Sequence, residues 1–502
     1  MCMKKLRELV LFVHENGFDH ATLRKGGTGT ATKLQNLYEG ILKDEWQVDE
    51  DAARALYPDE PSSVPYRKLK SDLKDRMLDA VLALRFEGGR YNGHQKAYFR
   101  CHKEWAAVKL LMSHGNGDVA ADLATKLLKQ AYQYEFTLIA QDICGILRLY
   151  YGARLGNMAR FEEYNAQYNE LREIHHWESL AEEYYIQLSS AFVNAKATRE
   201  DIPGLSKQFL ESLKPGLERY RTYRLYFYGA LIELASHTSV HAYAEALDVC
   251  KKYISFFEEK NYETQVPLQV LYYQELLCHI QLKRYEEGRK YADKCGQLVK
   301  EGSFNWFKYQ ESLFLLSMHT GEYQAAYKVY FLVSKNKYFA HLPDSAQEIW
   351  TIFAAYLAYL AQIGKLATVQ NERLKTLKAS RFQNETPLYS KDKKGMNIPI
   401  LIAQLLLLLA EGKKTAYLDK LESLEQYNYK YLRNKHNMRN HYFMKILLKI
   451  PLCGFNKENF IDKTKELLYS LESTPSNSVF QNSTYEIIPY ESLYSLISEQ
   501  LI

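Results

Sequence analysis

Residues Gly321 to Tyr330 read GEYQAAYKVY: a glycine, an aromatic at Tyr323, a small residue at Ala326 and a second aromatic at Tyr330. The same order of large residue, small or apolar residue three places on, and large residue four beyond that recurs along the chain. It appears as Phe161, Tyr164 and Tyr168; as Ile202, Leu205 and Phe209; as Tyr243, Ala246 and Cys250; and as Tyr285, Gly288 and Ala292. Looser copies begin at Val119 and Leu366. Successive copies stand about forty residues apart, a period that marks a repeated structural unit.

Spacings of three and four place the three residues on one helix face. The clearest copies follow another helical stretch, such as LYYQELLCHIQL (Leu271 to Leu282) or YQESLFLLSMH (Tyr309 to His319). The unit is therefore two helices joined by a short turn. Its small residue lets the second helix approach its partner closely, and the flanking aromatics fill the space above and below.

LSMHTGEYQAAYKVY and HIQLKRYEEGRKYA resemble the tetratricopeptide repeat, whose unit has a turn with Gly, a Tyr, an Ala three later and an aromatic four after that. The likeness covers roughly residues 110 to 375. The period is longer than the family's usual unit, the proline that closes each unit is missing, and Glu275 stands where a Leu is expected. The resemblance implies an all-α fold, a right-handed superhelix of TPR-like helical hairpins with a concave surface that takes extended peptides or helices.

Composition agrees with long helices. The chain has 502 residues, 47% hydrophobic and 25% charged, with 41 tyrosines and only 12 prolines. Sparse proline favours uninterrupted helices. A net charge of +5 is too small over this length to signal nucleic-acid binding by itself. Seven dispersed cysteines with no CxxC pair read as reduced, buried thiols of a cytoplasmic protein. IPILIAQLLLLLA, Ile398 to Ala410, is too short to span a bilayer and reads as a buried helix. The N-terminus lacks the cleavage pattern of a signal peptide.

Four regions follow: a helical N-terminal domain over 1–105, TPR-like repeats over 106–377, an exposed loop over 378–397, and C-terminal helical repeats with a cap over 398–502. In the first, YRKLKSDLKDRMLDAVLAL is amphipathic, with Leu69, Leu73, Met77, Leu78, Val81 and Leu84 on one face. Arg67, Lys70 and Lys74 on its other face are candidate DNA contacts if the domain resembles a helix-turn-helix; a capping or docking domain is the commoner outcome. Asp49 or Asp51 is a candidate N-cap, as is Thr30 or Thr32 in RKGGTGTATK. From Lys365 to Lys449, Lys and Arg exceed Asp and Glu by about ten. There YNYKYLRNKHNMRNHYFMKILLK offers Arg433, Lys435 and Arg439 as candidate phosphate contacts.

No catalytic chemistry emerges. The glycine-rich loop lacks both the P-loop and the dinucleotide spacing, and HExxH and GxSxG are absent. His175–His176 and Cys101–His102 are sequence neighbours that cannot act as a ligand pair or a dyad. No cofactor or metal is expected. The expected function is a non-enzymatic adaptor or regulatory subunit whose concave groove binds a protein or peptide, with Tyr272, Tyr273, Lys308, Tyr309 and Glu311 as candidate contacts. A DNA-binding regulator whose array senses a peptide, and an RNA or single-strand binder acting through the C-terminal helices, are the alternatives.

Overall fold

The structure, a computed structural model, describes residues 3–19, 23, 32–58, 64–86, 91–193, 201–367, 369, 371–386, 397–432, 438–474 and 486–501. Among them no strand forms, and no helix is long and apolar enough to cross a membrane. The chain divides into two compact units. One comprises Met1–His176 with Asn261–Glu263, the other Trp177–Lys260 with Thr264–Ile502.

The first unit starts with α1 (Met3–Glu15), α2 (Lys33–Leu42), α3 (Asp49–Leu56) and α4 (Val64–Ala83). These share a core of their own around Leu6, Val10, Leu37, Tyr38, Leu73 and Met77. Thr32 caps α2, its hydroxyl accepting from Gln35 N at 3.2 Å. Val48, not an aspartate, holds the N-cap position of α3. Asp49 is the first helical residue, and its carboxylate accepts from Tyr66 and Lys70 on α4 instead. The buried stripe of α4 is Tyr66, Leu73, Met77 and Ala80, whereas Leu78 lies about 100° round the helix and is exposed.

Helices α5 (Gly93–Ser113), α6 (Gly117–Gln133), α7 (Thr137–Leu149) and α8 (Met158–Val193) follow. They form a second core around Trp105, Leu127, Ile143, Leu147 and Tyr164. A capping box between Asn92 and Gln95 starts α5, which runs straight through position 105. One π-turn, Tyr150–Arg154, joins α7 to the approach of α8. The division between the units falls within α8.

In the second unit come α9 (Asp201–Arg219), α10 (Tyr223–Thr238), α11 (Tyr243–Glu258), α12 (Gln265–Gln281), α13 (Tyr285–Leu298), α14 (Phe304–His319), α15 (Tyr323–Ser334) and α16 (Asp344–Gln362). Short α17 (Glu372–Thr376) and α18 (Ala379–Glu385) precede α19 (Asn397–Ala410), α20 (Lys414–Tyr431), α21 (Met438–Leu452), α22 (Lys457–Glu472) and α23 (Tyr490–Gln500). Consecutive helices pack as hairpins in a repeat-like arrangement: α10 on α11, α12 on α13, α14 on α15, α21 on α22. A single hydrophobic core runs from Ala230 to Leu501.

One turn geometry explains the repeat. A residue with left-handed backbone ends the first helix, and an N-cap residue near φ −80°, ψ +60° starts the second. The left-handed residues are Glu135, His241, Lys283, Gly321 and Gly412, and the N-caps that follow are Phe136, Ala242, Arg284, Glu322 and Lys413. The N–H of Ala242, Arg284 and Lys413 bonds the carbonyl five residues back at 2.9–3.0 Å, the Schellman closure. Tyr243, Tyr285 and Tyr323 are each the first residue of the following helix. The last copy departs: Leu366 is buried but lies outside any helix.

Close approach also holds. Ala246, Gly288 and Ala326 are buried at the helix pairs. Tyrosines fill the space between helices and pin it with their hydroxyls. Tyr253 donates to Glu233 on α10 at 2.8 Å, Tyr356 to the Pro399 carbonyl at 3.4 Å, and Tyr417 to the Leu447 carbonyl at 3.0 Å. Every residue of α19 from Asn397 to Leu408 is buried, as expected for IPILIAQLLLLLA. Of the stretch 378–397, Ala379–Glu385 is helical with Phe382 buried, and 387–396 lie outside the described residues.

Candidate functional site

The five candidate groove residues fall on α12 and α14 and separate into two groups. Tyr272 and Tyr309 are buried and turn toward α13. The Tyr272 hydroxyl donates to Glu258 at 2.6 Å, and its ring lies 6.1 Å from Tyr291. A Cβ added to Gly296 on α13 would stand 2.7 Å from the Tyr309 hydroxyl, so that ring fills the space the glycine leaves. Burial pushes the Tyr309 hydroxyl up to about 12.

Tyr273 reaches α14 through Ser312, and Lys308 pairs with Glu311 along α14. Ser312 donates to the Tyr273 hydroxyl at 3.2 Å, and Lys308 Nζ lies 2.8 Å from Glu311 Oε2. Glu311 is buried, and burial raises its carboxyl above the usual range, with Lys308 pulling the other way. Its Oε1 accepts no hydrogen bond among the described residues, and neither does Gln310 Oε1 beside it. On α12, fully buried Glu275 is 3.2 Å from His279 Nε2, and the His279 ring stacks on Tyr291 at 5.6 Å. Glu275, which stands where the repeat expects Leu, thus takes its neighbour from one turn on in α12.

The candidate nucleic-acid contacts are dispersed. On α4, Arg67 is exposed, while Lys70 reaches Asp49 at 2.5 Å and Lys74 reaches Asp75 at 2.9 Å. That helix packs on α1 and α2 and presents its outer face. Arg433 and Lys435 lie outside the described residues.

Arg439 is buried at 3% exposure, with every guanidinium N–H directed at an acceptor of the chain itself. Nε donates to Glu486 Oε1 at 2.6 Å, and Nη2 to Glu486 Oε2 at 2.9 Å and Glu491 at 3.0 Å. Nη1 donates to the carbonyls of Leu471 and Thr474 at 2.9 and 3.0 Å. The two carboxylates outweigh the burial of the guanidinium and raise its proton affinity further. No nearby sequence signal joins Arg439 to acids this far along the chain.

The thiols of the described residues lie in the interior. The six cysteines there are free and buried, and burial pushes Cys101 and Cys144 up to about 11 and Cys278 and Cys295 to about 12. No group of His, Cys, Asp and Glu among the described residues could hold a metal ion. An open pocket on α15 is lined by Tyr327, Lys328, Phe331 and Lys335, and a smaller one near the π-turn by Arg148, Gly152 and Phe161. The first also carries Glu301, whose carboxylate accepts from Asn336 at 3.3 Å, while no acid among the described residues lines the second. Comparisons of the chain with protein-family models, curated proteins and solved structures find no match.

Proposed function

We propose that the chain is a non-enzymatic scaffold, a right-handed superhelix of TPR-like hairpins that binds a protein or peptide and serves as an adaptor or regulatory subunit in the cytoplasm. The reading is carried by the recurring turn at His241, Lys283, Gly321 and Gly412, which gives successive hairpins the same handover. Units stacked in this way generate an extended surface from their first helices, and such surfaces bind other chains. Buried tyrosines in the seams leave that surface rigid, which lowers the entropy lost on binding. Affinity capture of the tagged chain from its native host tests it: a partner recovered in fixed stoichiometry is expected, and recovery of the chain alone overturns it.

A second reading, a DNA-binding regulator whose array senses a peptide or protein, is favoured by one observation. Helix α4 lies exposed on a core made with α1 and α2, the placement a recognition helix needs. Two of its basic side chains are paired with aspartates, which dilutes the field it offers to phosphates. Duplex binding that falls steeply with salt, and falls again in Arg67→Ala with Lys68→Ala, is the expected result. Binding unchanged in that variant removes this reading.

A further inference from the structure

Two helices of the second unit, α16 and α19, are covered on more sides than a hairpin partner reaches. In α16 every residue from Ile352 to Leu360 is buried, and in α19 every residue from Asn397 to Leu408. A helix packed in a hairpin array keeps a stripe toward solvent. Here residues 486–501 lie against these helices. The Glu486 carbonyl is 2.6 Å from His319 Nε2 at the end of α14. Gln500 donates to the Tyr359 hydroxyl on α16, and Glu499 pairs with Lys365 at 2.9 Å. Helix α23 also packs on α19.

The segment is built like a bound peptide. Glu486 to Pro489 is non-helical, yet Ile487 and Ile488 are buried. Tyr490 opens α23, stacks on Phe443 at 4.1 Å with a 2° interplanar angle, and donates to Asn440 at 2.5 Å. The clamp on Arg439 has two carboxylates, Glu486 bidentate and Glu491 beside it. Bidentate guanidinium–carboxylate pairing is directional and charge-assisted, the kind of contact that selects a ligand. Between α22 and Glu486 the chain reads PSNSVFQNSTY, residues 475–485.

We propose that the surface bearing His319, Tyr359, Arg439, Asn440 and Phe443 is a recognition site for a protein segment of the pattern acid, two branched aliphatics, proline, tyrosine, acid, and that Glu486–Leu501 occupies it as a built-in competitor. The proposal rests on the scaffold reading and supplies the chemistry of its partner. Tethering holds the internal segment at an effective concentration of about millimolar. A partner therefore succeeds only if it binds far more tightly than the tethered copy, or if that copy is first released.

The test uses the full chain. A protease recognition sequence inserted between Asn477 and Ser478 is cut after folding, and a fluorophore-labelled peptide of residues 486–502 is added to cut and uncut protein. The expected result is saturable binding to the cut chain with its helical signal retained. Binding to the uncut chain is about tenfold weaker or worse. A peptide carrying Glu486→Gln and Glu491→Gln loses about tenfold in affinity. The proposal is overturned if the cut chain takes up no peptide, if it loses helical signal as the segment leaves, or if the doubly neutralised peptide binds equally well. Because the probe is the chain's own segment, these results stand apart from partner capture, and either can fail while the other holds.

Discussion

Gly288 and His279 face each other closely across the α12–α13 pair: a Cβ on Gly288 would stand 3.2 Å from His279 Cβ and 3.4 Å from Leu316 Cδ1, so the neighbours would have to give by a few tenths of an ångström. The glycine thus fixes the spacing inside one hairpin and toward the next. Gly288→Ala should destabilise by about 1–3 kcal/mol through overpacking, despite the better helix propensity of alanine. Denaturant unfolding measures it, and an unchanged or raised midpoint would show that the neighbours give way freely.

The turns offer a paired prediction. Lys283 holds φ +55° and Gly321 φ +77° in equivalent places. A side chain in left-handed backbone costs about 1–2 kcal/mol, and a Cβ at Gly321 would meet no atom within 4 Å. Lys283→Gly should therefore stabilise by about 1 kcal/mol, and Gly321→Ala should destabilise by about as much. Shifts of the same sign in both variants would refute a shared turn.

His319 makes stability depend on pH. Burial is the main cause that holds its ring below the usual imidazole range, and the contact with the Glu486 carbonyl works the other way. The unfolded chain accepts that proton near pH 6.5 and the folded chain only at lower pH, so below about 6.5 the unfolded state binds more protons. Stability from this group is present above that pH and is lost as pH falls. Glu311, raised by burial, has the opposite sign and loses its contribution as pH rises through its folded value. His319→Gln should flatten the decline in melting temperature between about pH 6.5 and 5. An unaltered profile would assign the decline to other groups.

Removing Arg439 should be severe. Arg439→Ala strands Glu486 and Glu491 beside each other, which costs about 3–5 kcal/mol for a broken buried pair. Arg439→Lys keeps the charge but cannot make the fork, and should recover only part of the loss. A loss under about 1 kcal/mol in the alanine variant would mean that water reaches the site and the clamp is not sealed.

What the sequence made legible was whatever repeats or lies close along the chain. Tyr243, Tyr285 and Tyr323 start helices as their spacing implied, and Ala246 and Ala326 sit at close approaches. The left-handed position was visible at Gly321, where glycine advertises it, and hidden at Lys283 and His241, where the turn imposes it on residues that resist it. Arg439 reads from sequence as a candidate phosphate contact because its local neighbours are basic and aromatic. Its acidic partners follow 47 and 52 residues later. The candidate site was legible only in part: Lys308 and Glu311 do meet, but an array of this period does not say which tyrosine turns toward the neighbouring helix.

The hydrogen bond between His319 and Glu486 spans 167 positions of sequence. For a chain growing from its N-terminus, this sets an order of events. Synthesis through α22 delivers α14, α16 and α19 with their apolar surfaces formed, while the residues that lie against them have not yet left the ribosome. Contacts so distant in sequence form slowly. Until they form, the nascent second unit is a sticky intermediate exposed to chaperones and to other copies of itself. Residues 486–501, made after those helices, end that exposure.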